Sequence, residues 1–109
     1  MKVVRRNGQT QIRLTDDPPE NSCRPAVDYL FRSAAEVWPN RTLGVILTGM
    51  GQDGTAGCRQ LREQGGYTIA QHADGCVVYG MPKSVIDNSL ADRILPLPEI
   101  ARAVTRLIH

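Results

Sequence analysis

The chain's candidate chemistry is concentrated in one loop, in which a single aspartate stands among glycines directly after an apolar run. Gly49, Gly51 and Gly54 lie close together in this loop. Glycine allows a sharp backbone turn and the close approach of another group, so we expect these three residues to set the loop geometry. Asp53 is the one charged residue there. Its carboxylate could cap the helix predicted to follow, where the helix dipole favours negative charge, or it could orient a catalytic base.

Two functional patterns fit this loop. Residues 49–54 match the dinucleotide fingerprint G-x-G-x-x-G, and Asp74 follows at the distance of the ribose-binding acid. This pattern would place Asp53 beside a negatively charged pyrophosphate, and like charges repel strongly when they are desolvated. In the second pattern the loop carries the acid of a hydrolase triad, whose carboxylate holds a histidine. Only the second pattern makes use of the negative charge.

The rest of the sequence offers no clear nucleophile or base to accompany the aspartate. His72 is predicted at the same edge of the sheet, but nothing else in its loop needs a base, and we expect a solvated histidine. Cys76 has no neighbouring cation that would activate it, which favours an inert thiol. No serine lies in the G-x-S-x-G turn that exposes a nucleophile, and this holds for Ser22, Ser33, Ser84 and Ser89. No cysteine–histidine spacing indicates a metal site.

Alternating strand and helix patterns position this loop. Residues 43–47 are continuously apolar, so we predict a strand that is buried on both faces, as in a parallel sheet. The order that follows is helix 55–64, strand 67–71, helix 82–90, strand 94–97 and a last helix from Pro98. This β-α-β-α-β-α order predicts a parallel sheet with right-handed crossovers, in which functional residues lie at the carboxyl ends of the strands.

The N-terminal part of the chain is predicted to contain a β-hairpin and one helix. Asn7-Gly8 is a strong hairpin signal between the β-prone residues 2–6 and 11–14. Apolar side chains then recur with helical period over residues 25–38. The predicted fold class is therefore α/β: a partial doubly wound parallel sheet, preceded by a β-hairpin and a helix.

Composition excludes several classes of function. The 109 residues carry a net charge of +2 with 22% charged residues, which gives no basic patch of the kind that nucleic-acid binders use. No apolar run approaches the length of a membrane span. Three widely spaced cysteines do not form a disulfide framework and fit a reducing cytosol. We therefore expect a cytoplasmic protein, one small domain or part of a larger one, that neither binds nucleic acid nor inserts into a membrane.

Three stretches of the chain carry a common resemblance: Pro18–Asn21 with Arg24–Phe31, the glycine loop Gly44–Gly54, and Cys76–Pro82. Together they resemble one family, the bacterial chemotaxis protein-glutamate methylesterases (CheB). The resemblance ties most of the chain to the C-terminal half of the family's catalytic domain, so residues 1–109 are expected to be part of that domain and to contain no receiver domain. It implies a doubly wound α/β fold that uses a Ser–His–Asp triad, often behind an N-terminal receiver domain.

Transferred residue by residue, the resemblance implies two roles in the glycine loop. Asp53 matches the triad aspartate, and the backbone N–H of Met50 matches a donor of the oxyanion site, where charge develops during acyl transfer. The family's serine and histidine lie upstream of the matched residues, and His72 does not match the triad histidine. The isolated chain is therefore expected to be inactive.

The implied reaction is hydrolysis of glutamate methyl esters on chemotaxis receptors, together with deamidation of receptor glutamine. The resemblance implies no metal and no cofactor. The implied partners are the methyl-accepting receptors, the missing N-terminal half of the catalytic domain and, in some arrangements, a receiver domain. Two alternatives remain at this point: a dinucleotide-binding βαβ unit, and a partner-binding remnant that has kept the fold without catalysis.

Overall fold

The computed structural model describes residues 1–14 and 26–108, which form two sheets and four α-helices. The elements are β1 (Lys2–Arg6), β2 (Gln9–Arg13), α1 (Val27–Val37), β3 (Leu43–Ile46), α2 (Thr55–Glu63), β4 (Tyr67–Gln71), a 3₁₀ turn (Ala73–Gly75), α3 (Gly80–Asp87), β5 (Arg93–Leu95) and α4 (Leu97–Ile108). The predicted β-α-β-α-β-α order from residue 43 is confirmed. Over these described ranges, no helix is long and apolar enough to cross a membrane.

The main sheet is parallel, with the strand order β3-β4-β5. Alternate side chains point to opposite faces. On one face Ile46 and Ala70 pack with residues of α2 and α3, and α1 residues cover this cluster. On the other face Ile69 and Leu95 pack against Ile100 of α4. Helices therefore cover both faces of the sheet, which confirms the predicted α/β class.

The N-terminal hairpin is a separate two-stranded sheet that is attached to α1. Asn7 and Gly8 both have positive φ, 50° and 79°, which is the geometry of a tight hairpin turn. Val3 is buried, and its N–H donates to the Ser33 hydroxyl of α1 at 2.8 Å. The hairpin predicted from Asn7-Gly8 is thus present, and it packs against the first helix.

Three predicted element boundaries near prolines differ from those in the structure. Helix α3 begins at Gly80, two residues before the predicted start at Pro82, and α4 begins at Leu97 rather than at Pro98. A proline is tolerated within a first helical turn because the N–H groups there have no partner inside the helix. The last strand ends before Pro96, which has no N–H to donate to a sheet.

Strand β3 is less enclosed than its apolar sequence predicted. Ile46 is buried, but the strand ends there and the next residue, Leu47, is 43% exposed. Among the residues that the structure describes, β3 pairs with one strand, β4. The outer edge of β3 therefore carries no strand in this part of the chain. The prediction of burial on both faces along 43–47 is therefore wrong at Leu47, because within residues 1–14 and 26–108 β3 has a neighbouring strand on one side only.

Candidate active site

Asp53 lies in the loop between β3 and α2 and is 7% exposed. Its Oδ2 accepts the N–H of Val27 at 2.7 Å, and its Oδ1 accepts the N–H of Asp28 at 3.1 Å. Both donors belong to the first turn of α1. The carboxylate therefore caps α1, which precedes it by about 25 residues. It does not cap α2, the following helix, which was one of the two roles that the sequence pattern allowed.

The N-terminus of α2 is capped by a residue that the sequence analysis did not single out. Asp28 of α1 is 1% exposed, and its Oδ1 accepts the N–H groups of Gly54 and Gly57 at 3.0 and 2.7 Å. The available sequence signal was an acidic residue one helical turn before Phe31 on the apolar face of a helix. The anion-binding end of α2 is thus already bonded to a carboxylate, where a dinucleotide pyrophosphate would have to bind.

Two glycines of the loop adopt the left-handed region, and a third lies against a neighbouring side chain. Gly51 and Gly54 have φ of 88° and 100°, in the left-handed region that other residues rarely adopt. Gly49 allows a close approach, since a Cβ there would lie 2.6 Å from the Met81 sulfur. The Met50 side chain is 83% exposed. Within the described part of the chain, no hydrogen bond uses the Met50 N–H.

His72 and Cys76 belong to a neighbouring loop and interact mainly within it. The Nδ1 of His72 accepts the N–H of Asp74 at 3.2 Å, and the imidazole is about half exposed, as expected for a solvated histidine. The Cys76 thiol donates to the His72 carbonyl at 3.5 Å, and desolvation raises its pKa. A raised pKa disfavours the reactive thiolate. Neither residue forms a hydrogen bond or an ion pair with the Asp53 carboxylate.

The hydroxyls of two described serines, Ser33 and Ser84, have structural partners instead of a base. Ser33 bonds to backbone groups of β1 and α1, and the hydroxyl of Ser84 lies 2.7 Å from that of Thr55. Ser22 lies outside the described residues. In residues 1–14 and 26–108, no three histidine, cysteine or acidic side chains are grouped so that they could hold a metal ion. The candidate site therefore contains the buried Asp53 carboxylate and, three residues earlier in the same loop, the Met50 N–H.

Comparison with known proteins identifies the family to which this arrangement belongs. The sequence profile of the CheB methylesterase family matches residues 1–104. The chain belongs to the CheB methylesterase family. It is 50% identical over 106 residues to a protein-glutamate methylesterase/protein-glutamine glutaminase of Trichodesmium erythraeum, and 50% identical over 110 residues to the protein of that name from Desulfotalea psychrophila.

The fold also matches a solved CheB structure. The crystal structure of the Thermotoga maritima CheB methylesterase catalytic domain superimposes with a TM-score of 0.94 at 42% identity and covers 97% of this chain. The match spans 56% of that domain, and the chain spans about 30% of the length of the two curated CheB relatives. These comparisons support the methylesterase interpretation and not the dinucleotide-binding one.

Proposed function

We propose that this chain supplies the acid and one oxyanion donor of a protein-glutamate methylesterase. Residues 1–109 would form the C-terminal part of its catalytic domain, and the remaining part would contribute the serine and the histidine. The observation that carries the proposal is the Asp53 carboxylate, which is buried and held by two backbone N–H groups at a strand end. A triad acid needs this fixed orientation, because it determines the position and tautomer of the histidine.

The proposed reaction is acyl transfer. The serine oxygen attacks the carbonyl of the glutamate methyl ester while the histidine takes the serine proton, and the histidine then returns that proton to the departing methanol. Water, activated by the same histidine, attacks the acyl-enzyme and releases glutamate and the serine. With a receptor glutamine the same steps release ammonia in place of methanol.

Each candidate residue has a defined part in this reaction. Asp53 would accept the imidazole N–H and stabilise the imidazolium that forms during each proton transfer. The Met50 N–H would donate to the carbonyl oxygen as it becomes negatively charged in the tetrahedral intermediate. Neither step draws on a metal or a cofactor.

The proposed partners follow from the reaction. The substrates would be methyl-accepting chemotaxis receptors. The site of action would be the cytoplasm, because the wide spacing of the three cysteines fits a reducing compartment. A receiver domain, where the complete protein has one, would lie outside these residues. The chain alone is expected to release no methanol from methylated receptor, because it lacks the matched serine and histidine.

The test is Asp53→Asn in the complete catalytic domain, assembled in one polypeptide or from two. Methanol release from methylated receptor is expected to fall by roughly two to four powers of ten, since loss of a triad carboxylate disturbs the histidine tautomer. His72→Ala is the matched control and should change turnover only a few-fold. Circular dichroism and a urea titration of both variants separate loss of chemistry from loss of fold.

Three outcomes would contradict the proposal. Full turnover in a folded Asp53→Asn variant would remove the acid role. Loss of turnover in His72→Ala alone would show that the roles were transferred to the wrong residues. A complete domain that folds, binds receptor and releases no methanol would favour a partner-binding protein that has lost catalysis.

A further inference from the structure

We infer that residues 78–81, held in place by the Thr48 hydroxyl, are the support that orients the Met50 N–H toward the oxyanion. This inference rests on the proposed function. It assigns a role to the motif Cys76–Pro82, which takes no part in the proposed reaction steps. Residues 78–81 form this support segment. Thr48 and the support segment act on Met50 through other groups, so they are positioning residues.

Thr48 joins the end of β3 to the support segment through one hydroxyl. Its Oγ1 donates to the Val78 carbonyl at 3.0 Å and accepts the Val78 N–H at 2.9 Å. The Gly49 N–H donates to the same Val78 carbonyl at 2.9 Å. Three hydrogen bonds therefore hold Val78 against the two residues that immediately precede Met50.

A fourth bond fixes the peptide that contains the proposed oxyanion donor. The Met81 N–H donates to the Gly49 carbonyl at 2.9 Å. That carbonyl and the Met50 N–H belong to one planar trans peptide, so they point in opposite directions. When the first turn of α3 holds the carbonyl, the direction of the Met50 N–H is fixed as well.

The two backbones are close enough that only glycine fits at their contact. A Cβ on Gly80 would lie 2.8 Å from the nitrogen of Gly51 and 3.0 Å from the carbonyl oxygen of Gly49. Gly49 and Tyr79 also form an isolated parallel β-bridge. The support segment thus lies directly against the loop on both sides of Met50.

A buried amide holds Thr48 from the other side. Gln71, at the end of β4, accepts the Thr48 N–H at 2.9 Å through Oε1 and donates to the Gly75 carbonyl at 2.9 Å through Nε2. Its side chain is fully buried. Thr48 is therefore fixed through its backbone by the sheet and through its hydroxyl by the support segment.

The Thr48–Val78 pair lies outside the hydrophobic core. Both residues are exposed, and neither belongs to the two apolar clusters of the sheet. Hydrogen bonds at an exposed loop contribute little to global stability compared with core packing. We therefore expect loss of the Thr48 hydroxyl to disturb the orientation of the Met50 N–H more than it disturbs the fold.

The experiment compares Thr48→Val with Thr48→Ser in the complete catalytic domain. Valine keeps the branched shape and removes the hydroxyl, whereas serine keeps the hydroxyl. For Thr48→Val we expect kcat for methanol release to fall about ten- to a hundredfold with KM within about twofold, because an oxyanion donor acts mainly in the transition state. Thr48→Ser should retain kcat within about threefold.

Amide hydrogen exchange on the same proteins measures the support directly and does not depend on catalysis. In Thr48→Val the N–H groups of Val78 and Gly49 should exchange faster, while that of Val27, which is bonded to Asp53, should be unchanged. If Thr48→Val fails to fold, Thr48→Ala replaces it, because alanine also removes the hydroxyl and adds no bulk at this exposed position.

The outcomes distinguish this inference from the proposed function. A loss of turnover in Asp53→Asn together with wild-type kcat in Thr48→Val overturns the support role and leaves the methylesterase proposal in place. Wild-type turnover in a folded Asp53→Asn overturns the proposed function and this inference with it. Equal losses of kcat in Thr48→Val and Thr48→Ser would also overturn the inference, because the hydroxyl would then have no specific part.

Discussion

Asp28 and Asp53 cap each other's helices. The Asp53 carboxylate accepts the N–H of Asp28 at 3.1 Å in the first turn of α1, and the Asp28 carboxylate accepts the N–H groups of Gly54 and Gly57 at the N-terminus of α2. Each carboxylate therefore lies at the positive end of a helix dipole. Because each carboxylate caps the helix that carries or follows the other, the position of the candidate acid depends on the packing of α1 against α2.

We predict that Asp28→Ala destabilises the protein substantially. The change removes a carboxylate that accepts two backbone N–H groups and leaves both donors buried without it, which should lower the free energy of unfolding by about 2–4 kcal/mol. Urea denaturation measures the loss. The control is Asp74→Ala, whose side chain is largely exposed and whose removal should cost less than about 0.5 kcal/mol. Equal effects of the two changes would contradict the reciprocal capping.

Alkaline pH should weaken the fold through Cys58. Desolvation by burial, with the nearby Asp28 carboxylate as a second cause, raises the pKa of this thiol from 9.0 to about 12. Between these values the unfolded chain ionises and the folded chain does not. The free energy of unfolding should therefore fall as pH rises from about 9 towards 12, by up to roughly 1.4 kcal/mol per pH unit from this group.

Cys58→Ala isolates that contribution, because lysine and tyrosine titrations are common to both proteins. The free energies of unfolding of the wild-type protein and the variant should differ most below pH 9, and this difference should shrink as the pH rises above 9. Urea titrations at half-unit pH steps provide the comparison. Parallel stability curves for the two proteins across this range would show that Cys58 is not shielded from ionisation.

We predict that the chain does not bind NAD or NADP. The N–H groups at the start of α2, where a pyrophosphate would bind, are already bonded to the Asp28 carboxylate. An incoming phosphate would have to displace a buried anion and then lie near Asp53. Calorimetric titration with both nucleotides should give no heat of binding. Micromolar binding that Gly51→Val weakens would restore the dinucleotide interpretation.

We predict that the isolated chain self-associates through the outer edge of β3. An apolar strand edge without a neighbour is a template for pairing with another chain. Light scattering across a concentration series should show a mass that rises with concentration. Leu47→Lys, at the end of this strand, should reduce the association, whereas Leu107→Lys, on the similarly exposed surface of α4, should not. A cooperative monomer at high concentration would show that the described elements already close the core.

The sequence alone determined the elements and their order. The Asn7-Gly8 turn, the apolar run before the glycine loop and the strand Tyr67–Gln71 were all recognisable, because local periodicity and turn chemistry act over a few residues. Helix starts near Pro82 and Pro98 were less accurate, since a proline fits several positions of a first turn. The glycine loop with its single aspartate also indicated the candidate site.

Only the tertiary structure decided which groups hold that loop. Asp53 caps α1 and not α2, and Asp28 caps α2 in return. Likewise the Thr48 hydroxyl bonds to Val78, 30 residues away. No local pattern records such contacts, because each depends on how the crossovers bring distant segments to the same edge of the sheet. The physical reason is that periodicity reports burial along one element, whereas a cap or a loop contact satisfies donors that another element leaves unpaired.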